Sequence, residues 1–175
     1  MPTYSPDDDV YRQRVHANGR APDPNFVAAE HLFRRYRKEH LINGKPVPLS
    51  IFPLDEPVST NRSKFSEPQD VLEPDCCDGS ERSGCVVLDI NVSDIPEMLS
   101  TEDGTGRVFR FVVVHRPRNL CYPHTVIHCN ENGDPEESHQ EPPKHLRNKF
   151  RAELARKLAE RDVLEFQPFS SGEVL

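Results

Sequence analysis

Apolar and polar positions alternate most cleanly over residues 84–92, with Val86, Leu88, Ile90 and Val92 on one side and Cys85, Val87, Asp89 and Asn91 on the other. A period of two marks a half-buried strand. The same period runs through 107–115, where Val108, Arg110, Val112 and Val114 oppose Phe109, Phe111, Val113 and His115. Pro117 ends that run. Pro123 precedes a third strand over 124–129, which Asn130, Asn132 and Gly133 terminate. The simplest topology for these three is an antiparallel meander. After Pro142-Pro143 the period changes: Leu146, Phe150, Leu154 and Leu158 recur every four residues beside Ala152, Ala155 and Ala159. That spacing predicts an amphipathic helix over 143–162. Its apolar stripe should lie on one face of the sheet, giving an α+β domain in which a small antiparallel sheet (about 85–129) is covered by the C-terminal helix.

The remaining segments are less regular. Over 26–41 the helical spacing of Phe26, Ala29 and Tyr36 competes with alternation in 32–37, which reads as a short helix or loop feeding a strand at 32–37. Prolines 46, 48, 53 and 57 exclude a helix interior or central strand, leaving an extended loop anchored by Ile51 and Phe52. Ser66 as N-cap, with Glu67, Pro68 and Asp70 in the first turn, predicts a short helix over 67–73. Residues 75–84 and 101–106 read as polar loop and turn. The expected organisation is an acidic arm over 1–25, disordered or loosely docked, one domain over 26–165 and a frayed tail over 166–175.

Composition changes this picture in two ways. The chain has 17 prolines, no tryptophan and 35% hydrophobic residues, so its core should be small for 175 residues. Its net charge of -7 gives no general attraction to nucleic acid or anionic membrane. The charge is uneven, however. Residues 144–162 carry seven Lys/Arg and three acids, which makes this segment +4 and the remainder -11. Such a helix either packs on the acidic body or offers a basic patch to nucleic acid or a nucleotide, over 144–161. No apolar run approaches the ~20 residues that span a membrane, and the first residues lack the basic and apolar regions of a signal peptide. The expectation is a cytosolic protein with no membrane contact, whose five cysteines are reduced thiols or metal ligands.

Candidate chemistry concentrates in 109–129. His124 and His128 are four apart, so a strand puts both on one side with Val126 between them, and His115 ends the neighbouring strand. Imidazoles titrating near neutral pH suit general acid–base work, so His115, His124 and His128 are the candidate catalytic residues. Arg110, Arg116 or Arg118 could hold a phosphate between them. A cationic loop, Asn61-Arg62-Ser63-Lys64, together with Arg34 and Arg35, is the candidate anion site: Arg34, Arg35, Arg62 and Lys64. The bland readings are half-exposed strand positions for the histidines and a solvated turn for the loop. Cys121, His124, His128 and Cys129 do not make a zinc site, because adjacent His128 and Cys129 point to opposite faces of a strand. Cys76, Cys77 and Cys85 match no zinc spacing, and no metal or cofactor is expected. A cysteine nucleophile at Cys121 or Cys129 lacks an accompanying oxyanion-hole glycine motif.

Several segments taken together resemble a family of small bacterial proteins without assigned activity. They are Leu32-Phe33-Arg34-Arg35, Glu39-His40-Leu41, the run from Val58 to Leu72 with its Asn61-Arg62-Ser63-Lys64 centre, Asp94-Ile95-Pro96, His115-Arg116-Pro117, Tyr122-Pro123-His124 before Val126-Ile127, and Lys149-Phe150-Arg151. The resemblance covers about residues 30–155 and implies no chemistry. It implies an accessory part in a multi-gene bacterial system. The expectation is thus an interaction protein acting with a larger protein partner. The alternative is a small hydrolase or transferase acting on RNA or a nucleotide through the His/Arg cluster.

Overall fold

The computed structural model describes residues 13–47, 52–72, 84–101 and 105–166. Its centre is a six-stranded antiparallel sheet in the order β5-β1-β4-β8-β7-β6. The strands are β1 (His31–Arg37), β4 (Val58–Arg62), β5 (Cys85–Asn91), β6 (Met98–Ser100), β7 (Val108–His115) and β8 (His124–Asn130), while β2 (Leu41–Ile42) and β3 (Lys45–Pro46) form a separate small ribbon. The C-terminal helix is Lys144–Leu158. Short 3₁₀ turns occupy Lys38–His40, Pro68–Leu72 and Val92–Asp94.

The α+β class follows from the periods read above. Register sets Leu32, Tyr36, Val58, Leu88, Ile90, Phe109, Phe111, Ile127 and Cys129 on one face, and the helix buries Leu146, Phe150, Leu154 and Leu158 against it. Phe150 sits at the centre, with ring centroids 4.4 Å from Phe111 and 5.8 Å from Phe52. On the opposite face Phe33, Cys85 and Val87 pack under Val71 and Leu72 of the 3₁₀ turn.

The topology differs from a meander. Strand β5 lies at the far side of the sheet beside β1, with β1, β4 and β8 between it and β7. Alternation reports which face a strand buries but not which neighbour it pairs with. The predicted helix over 67–73 is a 3₁₀ turn. The Ser66 hydroxyl donates to the Arg62 carbonyl instead of capping, and the Asp70 carboxylate takes the Glu67 N–H. Residues 13–25 lie against the body: Val15 is fully buried, the Ala17 N–H bonds to the Asn119 carbonyl and the Tyr122 N–H to the Val15 carbonyl. The remainder of the expected arm (1–12), Ile51, most of the 75–84 loop with Cys76 and Cys77, and the tail beyond 166 lie outside the described residues.

The two sheet edges are finished differently. At β5, Val87 and Leu164 exchange both backbone hydrogen bonds, so the chain leaving the helix covers one rung of that edge. At the other side β6 pairs only with 108–110, and β7 runs on to His115 beyond it.

Phe150→Ala should destabilise the protein by about 3–5 kcal/mol through loss of buried ring and cavity formation, read as a shift in urea midpoint. Ala152→Gly on the exposed side of the same helix should cost only about 1 kcal/mol.

Candidate functional site

Arg62 is the largest fully buried side chain of the described residues. It ends β4 on the helix-covered face, where a guanidinium out of water requires an opposite charge and acceptors for its N–H groups. Glu30, itself buried, supplies both: Arg62 Nε donates to Glu30 Oε1 at 2.6 Å and Nη2 to Oε2 at 2.9 Å. The carbonyls of Asp23 (2.8 Å) and Asn25 (2.7 Å) accept the rest. The Phe26 ring lies 4.0 Å and the Phe65 ring 5.1 Å from the guanidinium carbon. Segment 23–30 is therefore wrapped around one cation. Lys64 joins the same system through Asp23 at 2.6 Å, and that hydrogen bond holds the Asp23 carboxyl well below the usual carboxylate range.

The three histidines do not converge. His124 and His128 share a face as period two requires, while His115 pairs with Thr125 and projects from the other. His115 is buried, and both of its ring nitrogens are used. Its Nε2 donates to the Tyr122 carbonyl at 2.6 Å and its Nδ1 accepts the Asp23 N–H at 2.8 Å. The carbonyl fixes the proton on Nε2, and burial lowers the pKa below the ordinary value. The ring stacks on Phe65 and meets Tyr122 edge-on. His124 donates from Nδ1 to the Arg116 carbonyl at 2.7 Å, and its Nε2 lies 3.3 Å from the Ser59 hydroxyl. His128 is fully buried with neither ring nitrogen partnered, and burial first, then the Arg116 charge, push its pKa down to about 4.

Several other cations are committed within the fold. Arg34 lies on the helix-covered face; its Nη1 donates to the Ser59 carbonyl at 2.9 Å and its guanidinium carbon is 5.1 Å from the Phe52 ring. Burial lowers its pKa to about 10, which leaves it charged at neutral pH. Arg35 points to the opposite face, with a buried Nη1 that lacks a partner. Along the C-terminal helix, Arg147 pairs with Glu141, Arg151 donates to the Phe52 and Pro53 carbonyls, and Lys157 donates to those of Ser93 and Asp94. Beyond its end Arg161 binds the Asp94 carboxylate. Much of the basic segment thus fastens the helix to the body.

Cysteine chemistry departs from expectation at one position. Cys121 is disulfide-bonded, whereas Cys85 and Cys129 are free thiols. An odd cysteine count does not reveal which members pair. Burial pushes the Cys129 thiol up to about 12, which removes it as a nucleophile. Among the described residues no three His, Cys, Asp or Glu side chains are grouped to hold a metal ion, and no helix is long and apolar enough to cross a membrane.

Among the described residues a cleft of about 720 Å³ runs along the outer edge of β7, floored by residues 111–115. Pro22, Pro24 and Phe26 form one wall and Pro135 and Glu136 the other. Of the candidate histidines it includes only His115, whose ring nitrogens are taken. The first wall is part of the segment that Arg62 holds. Sequence reasoning did not single out this feature. The signal for it was Pro96, which precedes a strand much shorter than its eight-residue neighbour.

Arg62→Ala and Glu30→Ala should each cost about 3–5 kcal/mol, and the double variant less than their sum, because each single change strands a buried charge; denaturant titration of the cycle reads this. For His128, whose ordinary value is 6.5, the folded state binds fewer protons than the unfolded one between pH 6.5 and 4, so stability falls as pH drops through that window, by roughly 3 kcal/mol. Asp70 opposes it. Burial, outweighing Arg14, raises its pKa from 3.8 to about 6, so its contribution is full below 3.8 and is lost as pH rises toward 6. His128→Gln should therefore leave a protein that gains stability between pH 6 and 4 relative to wild type. In the wild type the His128 ring resonances should stay unchanged by NMR from pH 8 to 5.

No protein-family model matches the chain, and neither a curated protein nor a solved structure is found to be similar to it.

Proposed function

We propose that this chain is an interaction protein that acts by docking on a larger protein partner, an accessory component rather than a catalyst. The observation that carries this reading is the cleft on the unfinished edge of β7. There the described fold leaves both apolar surface and the Val113 backbone hydrogen-bonding groups without partners. The histidines that would serve an RNA- or nucleotide-cleaving enzyme face two sides of the sheet. Two of them have ring hydrogen bonds within the fold, and the third is buried outside the cleft. General acid–base chemistry needs imidazoles that can reach a substrate and exchange protons near neutral pH. His128 is held neutral to about pH 4 and His115 is shifted the same way.

The test is affinity capture of the tagged chain from its own host at physiological salt, with quantitative mass spectrometry and nucleic-acid analysis of the eluate. A protein in near-stoichiometric amount is expected, and it should remain after nuclease treatment. A chain that elutes without protein but with bound RNA or nucleotide contradicts the proposal. His124→Ala should leave partner capture within about twofold, because His124 does not line the cleft.

A further inference from the structure

The β7 edge has a definite hydrogen-bonding pattern. Arg116 donates its N–H to the His124 carbonyl, which fixes the even-numbered residues of β7 as those bonded to β8. The odd-numbered residues therefore point their N–H and C=O groups outward. Phe111 uses its N–H on the Glu97 carbonyl, the last rung of the β6 side. Beyond that rung the chain turns away at Pro96, and the Val113 N–H and C=O have no partner among the described residues. On the opposite edge of the sheet Leu164 supplies such a partner to Val87.

An open row of donors and acceptors selects an extended backbone over any other ligand, since only a strand presents complementary groups at the matching repeat. The floor, 111–115, spans about 17 Å of strand, enough for five residues of a guest. Side chains of that guest would alternate between the Pro22–Phe26 wall and the Pro135–Glu136 wall. The charged residues lining the cleft are Glu97 and Glu136, both exposed, and His115 beside them is neutral. Of the cations near the cleft, Arg62 is paired with Glu30, and Arg116 and Lys157 are held on the carbonyls of Pro135, Ser93 and Asp94.

From this geometry we infer that the cleft binds an extended segment of a partner polypeptide as an added strand on β7, in the row that β6 vacates. The guest carries alternating apolar residues and at least one Lys or Arg that meets Glu97 or Glu136. This inference rests on the interaction-protein reading and names the class of its ligand.

The experiment is selection of a random nine-residue peptide library displayed on phage against the full chain, with counter-measurement on two edge-blocked variants. Val113→Pro removes an outward N–H and leaves the β8 bonds in place, and Val114→Lys places a cation on the floor. Thermal unfolding establishes that each variant is folded, and either one that is folded suffices. Enriched peptides should show period-two apolar residues with Lys or Arg. They should lose at least tenfold in affinity on the folded blocked variant, and should lose their basic preference on Glu97→Lys. The inference is overturned if no peptide is enriched, if enriched peptides bind the blocked variant equally, or if they are acidic. It is also overturned if the free chain is a dimer by light scattering that Val113→Pro dissociates, because a second copy then fills the edge. None of these outcomes removes a partner captured from the host, so failure of the inference is distinguishable from failure of the interaction reading.

Discussion

A guanidinium buried with no exposure organises this end of the molecule. Arg62 would cost several kcal/mol in an apolar core without an anion and a set of acceptors, and the chain meets the demand with one segment. Glu30 supplies the anion, and the Asp23 and Asn25 carbonyls supply acceptors. Phe26 covers the flat side of the cation. That requirement fixes the path of 21–30 across the sheet. The same path brings the Asp23 N–H to His115 and the Ala21 carbonyl to the Tyr122 hydroxyl. Pro22, Pro24 and Phe26 become one wall of the β7 cleft as a consequence, so an ion pair in the interior shapes the surface at which docking is proposed.

The polar residues that looked like chemistry are largely structural for the same reason. A buried imidazole, hydroxyl or guanidinium must find partners, and in this sheet it finds backbone carbonyls. His115 takes the Tyr122 carbonyl, His124 that of Arg116, and Arg34 that of Ser59. Each bond fixes a tautomer or a side-chain direction and holds a loop to the sheet. His128 is the exception, neutral and unpartnered within β8. Its cost appears in acid, where the unfolded chain accepts a proton that the folded one refuses.

The parts of the fold legible in the sequence are those where apolar residues mark the helix-covered face, although β5 and β8 are buried on both faces. Strands β5, β7 and β8 and the C-terminal helix show their periods because Val, Ile, Leu and Phe mark the covered face. Strand β1 was partly visible through Leu32 and Tyr36. Strand β4 was not, since Ser59, Thr60, Asn61 and Arg62 sit in a central strand on hydrogen bonds and an ion pair, which hydrophobic patterning does not register. Strand order was illegible because pairing β5 with β1 joins residues more than 45 apart, and alternation carries no information about the neighbour. Of the residues in the anion-site reading of 61–64, Arg62 is buried on Glu30 and Lys64, half exposed, pairs with Asp23. The cleft was illegible as a motif, being a mismatch in length between two paired strands.

Native-state amide exchange of the free chain, resolved along β7 by NMR, tests the central claim most directly. The account predicts that the amides of Phe111, Val112 and Val114 exchange slowly, through their bonds to Glu97 and β8, while the Val113 amide between them exchanges orders of magnitude faster. Equal protection at all four positions would mean that the edge is already closed in solution, and would contradict the docking account built on it.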